Sequence, residues 1–374
     1  MGATETIAKW IVETNYEDIP PDAIRVANES CFDLLGVILA GSQQPVGEII
    51  QKYISSQGAA LESTVLAGGF QSTQSNAALA NGTMGHALDF DDFGGFGHPT
   101  VAIFPALLAI GEHTGATGRD LLEAYVVGCE IGLALQHETK YKQMDKGFHS
   151  TAVIGRLACT AACAKLLKLD EHQTIMAMGM AGSMSGGLIH NFGTMTKPLH
   201  AGLVGRDGVT AVQLAQMGLT AGDQVIEHPF GFANVVLGEG IYDLDSMADN
   251  MGKPFRTQDA LMIKKYPCCG SAHLALDATT MIQQRETLEA ADIERVDVTV
   301  NFDPPRSLIH SRPKEGLEGK FSMQYCLAAE ILDGKVGMSS FTDEQVMRPE
   351  AQALIPKIEM KRTAGFEGQN SWTE

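Results

Sequence analysis

Thr151-Ala-Val-Ile-Gly-Arg-Leu-Ala-Cys-Thr-Ala-Ala-Cys-Ala-Lys-Leu-Leu-Lys-Leu169 and, just past Asp170, His172-Gln-Thr-Ile-Met-Ala-Met-Gly-Met-Ala-Gly-Ser-Met-Ser-Gly186 decide the fold class. Their apolar residues recur at helical rather than alternating spacing. Small residues crowd the first stretch at Ala158, Ala161, Ala162 and Ala164, and the second at Gly179, Ala181, Gly182, Gly186 and Gly187. Glycine lowers helix propensity by about 1 kcal/mol relative to alanine, so close packing of helix backbones must compensate. The pattern predicts a compact helical core rather than a coiled coil. No heptad array, repeat or low-complexity tract accompanies it.

Outward from this centre, the same periodicity predicts helices over residues 23–40, 101–112 and 119–136. The first places Val26, Phe32, Leu34, Leu35, Val37 and Ile38 on a broad apolar face and stops at Gly41-Ser42. Composition changes near Met262. Val296, Val298 and Val300 alternate within residues 293–302, which fits a strand ended by Asp303-Pro304-Pro305. Residues 321–333 read as a helix stopped by Gly334, and 355–360 as a further strand. The expected class is mainly α: a large all-helical domain over residues 1–261 and a smaller α/β domain over 262–374, divided just before Lys264-Lys-Tyr-Pro267.

A formal net charge of −18 over 374 residues disfavours nucleic acid and anionic membranes as partners. A small anionic substrate stays compatible, because a few cations in a cleft reverse the local field. Mean hydropathy is −0.01. The longest apolar stretches, such as 101–110, are too short to span a bilayer and carry Pro105. Residues 1–10 lack a basic region followed by an apolar block, so no secretory signal is expected. The seven cysteines form no disulfide framework and predict a reducing, cytoplasmic environment. Cys159 and Cys163 lie one turn apart without a second pair, and Cys268-Cys269 is poor zinc spacing, so no metal site is expected.

The densest charged constellation is His86-Ala-Leu-Asp89-Phe-Asp91-Asp92, followed by Gly94, Gly95, Gly97 and His98-Pro99. If it begins as helix, Asp89 and Asp92 share a face and Asp91 does not. Clustered carboxylates raise one another's pKa, which suits acid/base work. The blander reading is that Asp91 and Asp92 cap or solvate a helix end. His149 precedes Ser150-Thr151, the expected N-cap of an apolar helix; its positive end would keep the imidazole neutral as a base. In Thr194-Met-Thr-Lys197-Pro-Leu-His200, Lys197 is placed to hold a substrate carboxylate as a point charge, and the glycine spacing of a phosphate loop is absent. Lys264 and Lys265 offer a second cationic site, or a solvated loop. Tyr325, in the helix opened by Ser322, supplies a phenol to a cleft or simply packs. There is no Gly-x-Ser-x-Gly elbow and no dinucleotide fingerprint.

Taken in order, His86-Ala-Leu-Asp-Phe-Asp-Asp92, Gly97-His98-Pro99, Phe148-His149, Thr196-Lys197-Pro-Leu-His200, Lys264-Lys-Tyr-Pro267 and Phe321-Ser-Met-Gln-Tyr325 through Leu332-Asp-Gly334 resemble the MmgE/PrpD family. The resemblance runs from near the N-terminus to the end of the sequence. It implies a helical domain with a smaller α/β lid, a site in the cleft between them, a homodimer and no cofactor. It implies catalytic roles for Asp89, His98, His149 and Tyr325, and substrate contacts from Lys197, His200 and one of Lys264 and Lys265. In that scheme the lysines clamp carboxylates, the histidines move the proton, Asp89 orients one of them, and Tyr325 closes the site.

The activities implied are 2-methylcitrate dehydration, iminodisuccinate epimerisation and cis-aconitate decarboxylation, all of which need a carbanion-like centre stabilised beside a carboxylate. The expected reading is a hydro-lyase on a 2-methylcitrate-like acid, with succinate epimerisation second. Phe93 stands where the family usually has a small hydroxyl residue, which ranks decarboxylation last. A non-catalytic helical scaffold is the alternative from another class; His98, His149, Lys197 and Tyr325 together argue against it. Relatives continue past Trp372, so the resemblance also implies a missing C-terminal tail that returns to the helical domain.

Overall fold

Proline and polar caps set where the helices start. In the computed structural model, residues 2–139, 142–238, 240, 242–286, 289–302 and 304–363 are described; Asp303 and Trp372, named above, lie outside them. The longer helices from the N-terminus are α1 (Ala3–Glu13), α2 (Pro21–Gly41), α3 (Pro45–Ser56), α4 (Gln74–Gly85), α5 (Pro99–Thr114), α6 (Gly118–Thr139), α7 (Ser150–Leu166), α8 (Glu171–Met184) and α9 (Thr196–Gln216). Pro21, Pro45 and Pro99 open α2, α3 and α5, where a residue without N–H loses nothing. Asp170 caps α8 by accepting from the Gln173 amide at 2.8 Å, and Gln173 returns the bond.

Contacts divide the chain into two units. The helical unit comprises Met1–Ala87, Asp91–Leu188 and Pro198–Ile263; the α/β unit comprises Leu88–Phe90, Ile189–Lys197 and Lys264 onward. In the helical unit, α7 is buried along almost its whole length, as is α4. Such helices are core elements rather than amphipathic surface ones. Small residues make this possible: a Cβ on Gly82 would stand 2.9 Å from Cα of Gly202, so α4 and α9 touch backbone to backbone. Gly208 of α9 likewise leaves room for the Cys159 sulfur of α7. Two antiparallel pairs complete the unit, β1 (Ser63–Val65) with β2 (Phe70–Ser72) and β3 (Phe93–Gly94) with β4 (Leu261–Met262).

In the α/β unit, α10 (His273–Arg285) and α11 (Met323–Asp333) pack around a core containing Tyr266, Leu276, Phe321, Tyr325 and Leu327. Strands β5 (Val296–Val300) and β6 (Ile358–Arg362) pair in parallel, from Val296 against Ile358 to Val300 against Arg362. Ser322 caps α11 by accepting from the Tyr325 amide at 3.1 Å, and Gly334 ends it at φ 67°. The class is therefore mainly α with a smaller α/β unit, as the sequence predicts. No helix among the described residues is long and apolar enough to cross a membrane.

The structure differs from the sequence reading at three places. Helix α4 ends at Gly85, so His86–Asp92 is turn rather than helix, and Asp89 takes a left-handed φ of 49°. The N-cap of α7 is His149 itself, one residue before the Ser150-Thr151 expected. Phe32 is 76% exposed, because α2 buries the face of Ala27, Cys31, Leu34 and Ile38 instead.

Candidate functional site

Four imidazoles stand in a row within the helical unit. His98 and His86 meet edge to face at 4.4 Å between ring centroids, His86 and His149 lie nearly parallel at 6.1 Å, and His149 and His200 follow at 5.4 Å. Each comes from a helix boundary or a first turn. His86 follows the last residue of α4, His98 is the N-cap of α5, His149 the N-cap of α7, and His200 lies in the first turns of α9. Gly97, at φ 113°, passes against Thr151 so closely that a side chain would collide, and this lets the Thr151 hydroxyl accept the His98 amide at 3.1 Å. His149 donates its own amide to the Gly187 carbonyl at 3.0 Å.

Asp91, fully buried, anchors one end of the row. His86 Nδ1 lies 2.9 Å from Oδ1, and His98 Nδ1 lies 3.1 Å from Oδ2. An ionised carboxylate only accepts, so both facing nitrogens carry hydrogen. Burial works to raise the Asp91 pKa, but the two imidazoles overcome it and hold the carboxyl well below the usual range. Its neighbour Asp92 goes the other way. Burial first, and then the charge of Asp91, push it up to about 8. The carboxylate cluster thus splits into one ionised and one neutral member.

The second group lies in the α/β unit. Asp89 accepts from Lys197 Nζ through Oδ1 at 2.6 Å and from Lys264 Nζ through Oδ2 at 2.8 Å. Lys264 also donates to the Asp89 backbone carbonyl at 2.7 Å. All three side chains are buried. Lys197 further lies 5.2 Å and 5.1 Å from the ring centroids of Phe192 and Phe321, where aromatic faces favour a cation. A third ammonium, that of Lys320, is also buried; burial lowers its pKa to about 8, with the charge of Asp89 acting in the opposite direction. One carboxylate among three lysines leaves formal positive charge in an interior site, a field that favours an anion.

Of the adjacent lysines, Lys264 is the buried one. Lys265 points to the surface, where it pairs with Asp277 at 2.6 Å. Tyr325 is fully buried in the core of the α/β unit, edge-on to Phe341, and its hydroxyl donates to the Ser340 carbonyl. Burial raises the phenol pKa. Sequence reasoning left out three groups: His86, Asp91 and Lys320. The first two stood inside the quoted constellation; Lys320 directly precedes Phe321-Ser-Met-Gln-Tyr325 and carried no signal of its own.

Among the described residues, only His86, Asp91 and His98 have donor atoms close enough, within 4.8 Å, to surround a metal ion. Here the same atoms form a hydrogen-bonded chain with the nitrogens as donors, the opposite of what a metal requires.

Comparison with known proteins agrees with these segments. Residues 5–245 match the model of the MmgE/PrpD N-terminal domain and residues 266–372 that of the MmgE/PrpD C-terminal domain. The cis-aconitate decarboxylase of Mus musculus is 30% identical over 373 residues, covering 96% of this chain and 76% of the relative. That of Homo sapiens is 29% identical, covering 96% and 76%. That of Aspergillus terreus is 26% identical, covering 98% and 79%. With both family domains matched in order along nearly the whole sequence, the chain belongs to the MmgE/PrpD family.

Proposed function

We propose that this protein is a cofactor-independent lyase that decarboxylates a small unsaturated tricarboxylate of the cis-aconitate type. The observation that carries the reading is the buried Asp89 carboxylate shared by Lys197 and Lys264. Those ammonium groups are what a substrate carboxylate would exchange for Asp89. The chemistry then needs one bond broken and one proton delivered. The carbon–carbon bond to a carboxylate breaks, carbon dioxide leaves, and the electron pair spreads into the neighbouring carboxylate-bearing double bond. A carbon of that system takes a proton from an imidazole. His149 is assigned as this acid, His200 as the partner that sets its proton, and His98, held by Asp91, as the second acid/base group. Lys197 and Lys264 offset the developing charge.

Support also comes from the relatives, which carry the name cis-aconitate decarboxylase over almost the full length of this chain. Dehydration of a 2-methylcitrate-like acid is the second reading. Phe93, where a hydroxyl residue is usual after Asp92, favours it, and the same lysines and histidines would serve. A scaffold has no use for so many buried titratable groups, each costly to desolvate.

Proton NMR of the purified protein in heavy water, with cis-aconitate, 2-methylcitrate, citrate and substituted succinates, tests the reading. Loss of the cis-aconitate signals with release of carbon dioxide and deuterium in the product is the expected result. An alkene signal arising from 2-methylcitrate would move the assignment to dehydration. Inertness toward every acid would remove the lyase reading.

A further inference from the structure

We infer that Lys320 is a positioning residue: its ammonium group pins the backbone turn that carries Asp89 to the turn that carries Lys264. The inference rests on the carboxylate-binding role proposed for that pair. Lys320 is 3% exposed. Its Nζ donates to the Leu88 carbonyl at 2.8 Å and to the Pro267 carbonyl at 2.7 Å, and its own carbonyl accepts the Cys269 amide at 3.0 Å. No carboxylate among the described residues forms an ion pair with it. Two neutral carbonyls are poor compensation for burying an ammonium, so the burial is costly and the geometry is what it secures.

That geometry needs securing. Asp89 is a non-glycine residue at φ 49°, in the left-handed region that side-chain-bearing residues seldom occupy. The carbonyl before it is held by Lys320 and its own carbonyl by Lys264. Both peptide planes flanking Asp89 are thereby fixed, and with them the reach of its carboxylate to Lys197 and Lys264. The charged and titratable groups facing the Lys320 ammonium are Asp89, Lys264, Cys268 and Cys326, and the Phe341 ring lies 4.4 Å away. Burial lowers the Lys320 pKa to about 8; Asp89 and Cys268 hold it up, Lys264 presses it down, and Cys326 raises it. Above that pH the pins lose their charge. The unfolded chain keeps its lysine proton to about pH 10.4, so this group adds stability as pH rises from about 8 to about 10. Loss of turnover through Lys320 on the alkaline side would therefore occur in folded protein.

The test compares wild type, Lys320→Met and Lys320→Arg in the full chain. The readouts are kcat and KM for cis-aconitate between pH 6 and 10, thermal unfolding, and hydrogen–deuterium exchange. Lys320→Met is expected to fold, to lose about 10²-fold in kcat with a smaller change in KM, and to lack the alkaline limb near pH 8. Lys320→Arg should recover part of kcat, with the limb moved out of range because a guanidinium does not deprotonate. In both the wild type and Lys320→Arg, exchange should stay slow at residues 86–92 and 264–269; in Lys320→Met it should quicken there and nowhere else. A folded Lys320→Met with wild-type kcat, pH profile and exchange overturns the inference. Should wild type turn over no carboxylate, the proposed function fails, and exchange alone decides whether Lys320 pins the two turns.

Discussion

The Nδ1 atoms of His149 and His200 face each other at 3.2 Å, and both rings are buried. Between two facing imidazole nitrogens only one can donate, so the pair holds one proton between them. His149 also sits at the positive end of α7, which disfavours its charged form. Replacing His149 with Ala is expected to lower kcat by about 10² to 10⁴ while circular dichroism shows the fold retained. His200→Phe keeps a ring but removes the facing nitrogen, and should lower kcat by a smaller factor than the loss of His149. Wild-type turnover by the His149 variant would remove it from the chemistry.

Asp89 separates charge from conformation. Asn tolerates the left-handed backbone and Ala does not, at a difference of about 1–2 kcal/mol. Both substitutions strip the counter-charge from Lys197 and Lys264, and breaking such a buried pair costs about 3–5 kcal/mol. Urea unfolding at pH 7 should therefore place Asp89→Asn well below wild type and Asp89→Ala lower still. Both should be inactive. An Asn variant as stable as wild type would mean that the lysines find other partners or shed their protons.

The fold was legible where residues repeat and opaque where they do not. Helices α2, α5, α6, α7 and α8 carry apolar spacing that composition alone exposes. Helix α4 has none to show, because its Ala, Gly, Asn and Thr residues are buried on every side. Helices α1 and α3 bury Ile7 with Ile11, and Ile50 with Ile54, at ordinary helical spacing, so the same periodicity extends to them. The α/β unit takes Asp89 and Lys197 from deep within the first two-thirds of the sequence, a long-range pairing that no local pattern encodes. Most candidate residues could be picked out as rare polar groups between apolar stretches. Their partners could not: that Lys264 is buried and Lys265 exposed depends on where the Asp89 turn lies.

Asp92 should govern stability in the neutral range. Its buried Oδ2 has no hydrogen-bond partner, its Oδ1 accepts the Thr100 amide at 3.3 Å, and its pKa is raised to about 8, chiefly by burial, against about 3.9 in an unfolded chain. Between those values the native state binds the extra proton, so the contribution is fully present below about pH 4 and is lost as pH rises to about 8. Asp91 has the opposite sign, and its contribution is complete once pH exceeds the ordinary carboxylate range. Denaturation between pH 5 and 8.5 should show stability falling with pH, by an amount on the order of a few kcal/mol. Asp92→Asn, which cannot ionise, should flatten that slope. An unchanged slope would assign it to other groups.

Removal of divalent metals should leave turnover untouched. His86, Asp91 and His98 have the composition of a small metal site, with two imidazoles and a carboxylate. A metal, however, needs lone pairs from the ring nitrogens and a free carboxylate oxygen. Both Nδ1 atoms instead present hydrogen to Asp91, and both Asp91 oxygens are engaged. Binding an ion there would cost two protons and the charge pairing that keeps Asp91 ionised. Dialysis against a chelator, followed by assay on cis-aconitate, should therefore give full activity, and added zinc should inhibit by drawing Asp91 away from His98. Activity lost to the chelator and restored by one metal would show that the triad is a metal site and that its hydrogen-bonded form is the resting arrangement of the metal-free protein.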